Sequence, residues 1–279
     1  MASASLRVET TFATFGAIAQ KIGGDLVQVH VLASPKFDPH FIVPKPSLIF
    51  KLRRADLLIL NGGGLELGWL PSLIRGANNS KIKKGAKGFL DISLYIPMID
   101  VPSAISRGFG DVHSKGNPHY TTDPHMVLII AQVIKKKLQE LDPNNKNIYE
   151  KNLNTFTHKW QNYLNYFDGK MKECKEKKVV QYHELFNYFL KRYNYTNYAN
   201  IEPHPGISPS MKHTVSIINT IIENDIKLIV IDVFHETKTT KFIAAKTGAK
   251  VVLIPHDMGA KGSDTLEEYY LNVMKQICQ

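Results

Sequence analysis

Short apolar runs alternate along this chain with longer stretches in which apolar residues return every three or four positions. The runs are Val8 to Phe12, Asp25 to Ala33, Asp56 to Leu60, Phe89 to Leu94, Lys178 to Tyr182, Tyr198 to Ile201, Lys227 to Asp232 and Lys250 to Ile254. Runs such as Leu57-Leu58-Ile59-Leu60 and Leu228-Ile229-Val230-Ile231 mark strands buried on both faces of a parallel sheet. The helical rhythm falls between them, over Phe12 to Ile22, Leu48 to Arg54, Leu67 to Gly76, His125 to Leu141, Glu184 to Tyr193, Ser208 to Asn224, Lys238 to Thr247 and Asp264 to Ile277. Ser47 and Ser208 stand where N-caps belong, the second followed by Pro209 at the expected first helical position. Strand and helix in alternation imply an α/β fold with parallel sheets.

One stretch breaks the alternation. From Asn144 to Glu176, Ile148, Tyr149, Leu153, Phe156, Trp160, Tyr163, Phe167 and Met171 recur mostly at spacings of three and four, interrupted only by Gly169. A single amphipathic helix of about 30 residues spans about 45 Å. That is too long to cover one small sheet and suits a rigid spine between two lobes. The expected division is an N-terminal α/β lobe over 6–143, a linking backbone helix over 144–176 and a C-terminal α/β lobe over 177–279. The alternative is a pair of shorter helices broken at Gly169.

Composition narrows the class. The 279 residues are 43% hydrophobic and 22% charged, ordinary for a globular protein. No run reaches the ~20 apolar residues of a membrane helix. Met1-Ala2-Ser3-Ala4-Ser5 has no apolar core and reads as a lead-in to a mature chain whose export signal has been removed. The net charge of +10 raises nucleic acid as a partner, but the lysines are scattered over Lys81 to Lys84, Lys135 to Lys137 and Lys175 to Lys178. No nucleic-acid motif accompanies them, so they read as solvated faces. Two cysteines, Cys174 and Cys278, exclude a thiolate zinc site; their count alone does not decide whether they form a disulfide. There is no GK[ST], HExxH or GxSxG, and Asn61-Gly62-Gly63-Gly64 reads as a tight turn rather than a phosphate loop.

Histidine is where chemistry must be sought, with 11 in the chain. Four share a context at a strand end or on a loop entering a helix: His40, His119, His183 and His256. His40 and His119 each follow a proline. If each lobe contributes a pair, the four meet in a cleft as imidazole ligands of one Zn²⁺. The residues alone leave each of them open as a ligand or as a hydrogen-bonded or surface histidine. His113 could add to or gate such a site, and His204 could reach its mouth. His125 and His158 read as packing or surface residues, and His30, His213 and His235 as structural. Asp123 and Glu184 read first as helix-cap and supporting groups for their neighbouring histidines.

At these residues the chain resembles the solute-binding proteins of bacterial zinc and manganese ABC transporters, the zinc-uptake type. Asp38-Pro39-His40-Phe41-Ile42-Val43-Pro44-Lys45-Pro46-Ser47 resembles the first-ligand loop of that family, and Asn61 to Leu70 its NGxGLExWL segment. Asn117-Pro118-His119-Tyr120-Thr121-Thr122-Asp123-Pro124 resembles its second-ligand loop, and Val180 to Phe189 the segment of its third. Thr247 to Val251 resembles the run before its fourth. The resemblance implies two α/β lobes joined by one helix, and a transported ion, zinc before manganese, held by His40, His119, His183 and His256. It implies a permease partner, an extracytoplasmic location with a lipid or membrane tether, and no catalysis. The chain is expected to act as a monomer. A zinc hydrolase or chelatase is the alternative, and an adhesin-like surface protein a third reading. Two departures stand out. The family usually has an Asp as fourth ligand, which leaves Asp257 and Asp232 beside His256 as candidates. The His-rich mobile loop of many zinc-specific members is missing, since Ser103 to Lys115 holds only His113.

Overall fold

Each lobe is a four-stranded parallel sheet with helices on its faces. We describe residues 5–102, 113–204, 206–260 and 262–278 of a computed structural model. In the first lobe the strands β1 (Leu6–Thr10), β2 (Val27–Val31), β3 (Leu57–Leu60) and β4 (Phe89–Asp91) lie in the order β2-β1-β3-β4. In the second, β5 (Lys178–Gln181), β6 (Thr196–Asn200), β7 (Leu228–Asp232) and β8 (Lys250–Ile254) lie in the order β6-β5-β7-β8. The two orders are the same once renumbered, although no repeat is visible in sequence. The all-apolar runs are the central strands: every residue of β3 and β7 is buried. A strand with neighbours on both sides and helices on both faces has no position for a polar side chain except at its ends.

The helices are α1 (Ala13–Gly23), α2 (Pro46–Arg54), α3 (Leu70–Ala77), α4 (Met126–Leu141), α5 (Lys146–Glu173), α6 (Asn187–Arg192), α7 (Met211–Glu223), α8 (Lys238–Thr247) and α9 (Leu266–Ile277). The spine α5 runs unbroken for 28 residues, about 42 Å at the rise of an α-helix. Gly169 does not interrupt it, because a side chain there would meet nothing and the helix needs no special backbone at that point. Its buried stripe is Tyr149, Leu153, Phe156, Trp160, Leu164, Phe167 and Met171. The stripe serves both lobes. The Asn152 side chain donates to the Ile22 carbonyl of the first lobe, and the Tyr163 hydroxyl donates to the Glu267 carbonyl of the second. A disulfide between Cys174 and Cys278 joins the end of the spine to the end of α9.

Three local expectations shift. Helix α2 starts at Pro46 with Lys45 as its N-cap, so Ser47 lies inside the first turn and caps nothing. Ser210, not Ser208, caps α7, its hydroxyl accepting from the His213 N–H, and Pro209 falls before the cap. The stretch Glu184 to Tyr193 divides into a 3₁₀ turn, Glu184–Phe186, and α6. Segment 103–112, most of the short loop discussed above, lies outside the described residues.

The lobes meet through directed contacts. The Asp257 carboxylate of the second lobe accepts from the N–H groups of Ala13 (2.8 Å) and Thr14 (3.1 Å) and from the Thr14 hydroxyl (2.5 Å). It therefore caps the N-terminus of α1, where free N–H groups favour an anion. The Asn117 side chain donates to the Glu184 carbonyl, and the Tyr270 hydroxyl to that of Thr121.

Candidate metal site

The carboxyl ends of both sheets face the seam between the lobes, the edge where ligands bind in open α/β sheets. His40 lies on the loop between β2 and α2, and His119 on the connection from β4 to α4. His183 follows β5 directly. Their positions are fixed from the backbone. The Trp69 indole donates to the Pro39 carbonyl, and the Asn61 side chain to that of Pro118, so each Pro-His pair is anchored at the proline. Asn61 sits in a glycine turn that needs φ of +76° at Gly62, where any Cβ would collide with Asp91.

One potential ligand atom each from His40, His119 and His183 lies within 4.8 Å of the others. The ring centroids form a nearly equilateral triangle, with sides of 5.2, 5.5 and 5.4 Å. Their outer hydrogen bonds decide which nitrogens face inward. The Asp38 carboxylate lies 2.7 Å from His40 Nδ1, and the Glu202 carboxylate 2.7 Å from His183 Nδ1. A carboxylate accepts only, so each Nδ1 carries a proton, and in the neutral ring, the form that binds a metal, each Nε2 presents a lone pair. The Nε2 of His119 is buried and has no hydrogen-bond partner among the described residues. An unsatisfied buried imidazole nitrogen costs free energy unless something occupies its lone pair.

The electrostatics favour a neutral His119. Burial, assisted by the neighbouring imidazoles, holds His119 well below the ordinary histidine pKa. Burial works against ionisation of Asp38, but the hydrogen bond and charge of His40 outweigh it and leave the carboxyl below its usual range. Carboxylates stand behind two of the three rings, those of His40 and His183.

The profile of the family described as "Zinc-uptake complex component A periplasmic" matches residues 8–279. The chain belongs to this family. Members of the zinc-uptake component A family are binding components of metal transporters, so the hydrolase alternative falls. Among curated relatives, the metal ABC transporter substrate-binding lipoprotein SsaB of Streptococcus sanguinis is 33% identical over 69% of this chain, and the chain spans 60% of that relative's length. The manganese ABC transporter substrate-binding lipoprotein PsaA of Streptococcus pneumoniae is 31% identical, with 68% of this chain and 60% of that protein covered. A zinc-bound deletion mutant of ZnuA superposes with a TM-score of 0.79 at 27% identity, covering 99% of both chains. A laminin-binding adhesin of Streptococcus agalactiae does so with a TM-score of 0.80 at 25% identity, covering 99% of this chain and 100% of that one.

Of the residues singled out in sequence, His256 stands outside the triangle. It is buried at the end of β8, its ring edge-on to Phe234 at 4.9 Å, and its Nδ1 has no hydrogen-bond partner among the described residues. Burial pushes its pKa down to about 4. The acidic alternatives are engaged elsewhere. Asp257 caps α1, and Asp232 accepts from the N–H groups of Phe234 and His235 and pairs with His235 Nδ1 at 2.5 Å. His113 does approach: its Nε2 is 3.2 Å from that of His40.

The supporting carboxylates are not the ones expected. Asp123 caps the turn at His125 and pairs with Arg192, and Glu184 accepts from the Asn200 side chain. The groups that orient ligands are Asp38 and Glu202. Asp38, two residues before His40, was within reach of inspection. Glu202 is 19 residues from His183 and meets it only because β6 lies beside β5.

Proposed function

We propose that a single chain captures one divalent transition-metal ion outside the cytoplasm, zinc in preference to manganese, and delivers it to an ABC-type permease for uptake. The ion is held by His40, His119 and His183. The observation that carries this reading is three inward imidazole faces within 4.8 Å of one another, with no carboxylate oxygen in the set. Imidazole suits Zn²⁺, whereas Mn²⁺ prefers oxygen-rich sets and lies at the weak end of the affinity order for nitrogen donors. The relatives supply the transport role: they are named as substrate-binding lipoproteins of metal ABC transporters, some of them as manganese proteins. Among the described residues no helix is long and apolar enough to cross a membrane.

Calorimetry on metal-stripped protein with Zn²⁺ and Mn²⁺ in turn tests the reading. One ion per chain is expected, with Zn²⁺ bound more tightly than Mn²⁺, as the order of affinity of these ions for nitrogen ligands requires. Equal or tighter Mn²⁺ binding overturns the preference. A His119→Ala protein with undiminished affinity overturns the site.

A further inference from the structure

Three imidazoles leave a tetrahedral ion one ligand short. We propose that His113 supplies the fourth nitrogen, so that the ion sits in a four-histidine set drawn three from the first lobe and one from the second. This rests on the three-histidine reading above and deepens it.

The geometry carries the assignment. Two ligands of one tetrahedral Zn²⁺ at ~2.0–2.1 Å stand about 3.3–3.4 Å apart. His113 Nε2 and His40 Nε2 are 3.2 Å apart, with their rings nearly parallel at an angle of 22°. The proton of His40 is already fixed on Nδ1 by Asp38, so the Nε2 facing His113 is a lone pair. His113 also stands edge-on to His119, with ring centroids 5.9 Å apart, and so borders two sides of the cluster.

The acidic candidates for the fourth place are committed elsewhere. Asp257 caps α1 and Asp232 is bound to His235; neither His113 nor His256 belongs to the three that already converge, but it is His113 whose ring stacks on His40. Unlike the buried His119 and His183, His113 is half-buried, beside Gly64, Leu67 and Ser114 at the open side of the site. It is therefore the ligand that can leave without disturbing the others. An ion entering or leaving on that side exchanges one nitrogen first.

The test compares His113→Ala, His256→Ala and His119→Ala with the parent protein. Zn²⁺ affinity is measured by competition with a chelator, and the imidazoles around bound Zn²⁺ are counted by X-ray absorption. The parent is expected to show four imidazoles. His113→Ala should show three and bind Zn²⁺ at least about 10–100-fold more weakly, since even loss of a supporting group costs that much. His256→Ala should match the parent in both. Loss of affinity in His119→Ala beside a normal His113→Ala overturns this inference and leaves the three-histidine site standing. Three imidazoles in the parent, or one lost in His256→Ala, also overturns it. A normal His119→Ala overturns both readings. The unfolding midpoint of each metal-free variant shows whether it is folded, and the count on the parent needs no variant.

Discussion

Arg192 grips Asp123 across the seam, its Nε 3.0 Å and its terminal nitrogen 2.8 Å from the same carboxylate oxygen. Asp123 is almost fully buried and closes the turn that begins at His119, while Arg192 ends α6, the helix that follows His183. The pair thus couples the loops carrying two of the converging histidines, one from each lobe. Removing the cation leaves a buried carboxylate without its partner. Arg192→Ala is expected to lower stability by roughly 1–3 kcal/mol, less than for a wholly buried pair because the guanidinium is partly solvated. Arg192→Lys should recover only part, since an ammonium lacks the planar fork. Denaturant midpoints measure this, and an unchanged midpoint in Arg192→Ala would refute it.

Asp38 and Glu202 fix the tautomers of His40 and His183. Asp38→Ala and Glu202→Ala are each expected to weaken metal binding by about 10–100-fold with little effect on the fold. Asp38→Asn keeps an acceptor and should fall between. Calorimetry decides it; parent-like affinity in both alanine variants would show that the ligands need no outer support.

Glu66 gives the protein a pH-dependent stability unrelated to metal. Its carboxylate accepts from the N–H groups of Asn61 (2.7 Å) and Gly62 (3.0 Å) and holds the glycine turn. Burial nevertheless outweighs those bonds and raises its pKa to about 7. The folded state then holds a proton that the unfolded chain has released above its ordinary pKa of 4.5. By linkage, the stability due to this group is complete below that value, declines as pH rises, and is lost by about pH 7. The span corresponds to about 3 kcal/mol. Unfolding in urea at pH 5 and pH 8 should show this decline in the parent. The decline should be smaller in Glu66→Gln, whose amide does not titrate. Equal slopes would exclude Glu66 as the source.

The Cys174–Cys278 disulfide closes a loop across 104 residues, the whole second lobe. Replacing both cysteines by serine is expected to cost about 2–4 kcal/mol by freeing the unfolded chain. The bond lies at the end of the lobe away from the histidines, so Zn²⁺ affinity should hold. A matching loss of affinity would mean that the spine transmits its state to the site.

The fold was legible because burial on both faces leaves strands no choice but continuous apolar runs, and because α5 repeats its stripe for 28 residues. The convergence of His40, His119 and His183 was foreshadowed by the Pro-His pairs on two loops and by the strand that His183 ends. The fourth position was not. His256 lies just past a strand and His113 on a long connection, and which ring comes nearer the cluster depends on how the two sheets are set against each other. Asp257 shows the same limit: its role is defined by two N–H groups in the first helix, which no local pattern around Asp257 encodes.

That cap has a consequence for the order of assembly. Helix α1 receives its anion from a residue 243 positions downstream. A ribosome reaches Asp257 only after nearly all of the first lobe, the spine and the second lobe have been made. Until then the N-terminal turn of α1 is open to water. The seam that frames the histidines is therefore among the last parts of the molecule to close, whether the chain folds during synthesis or after crossing a membrane.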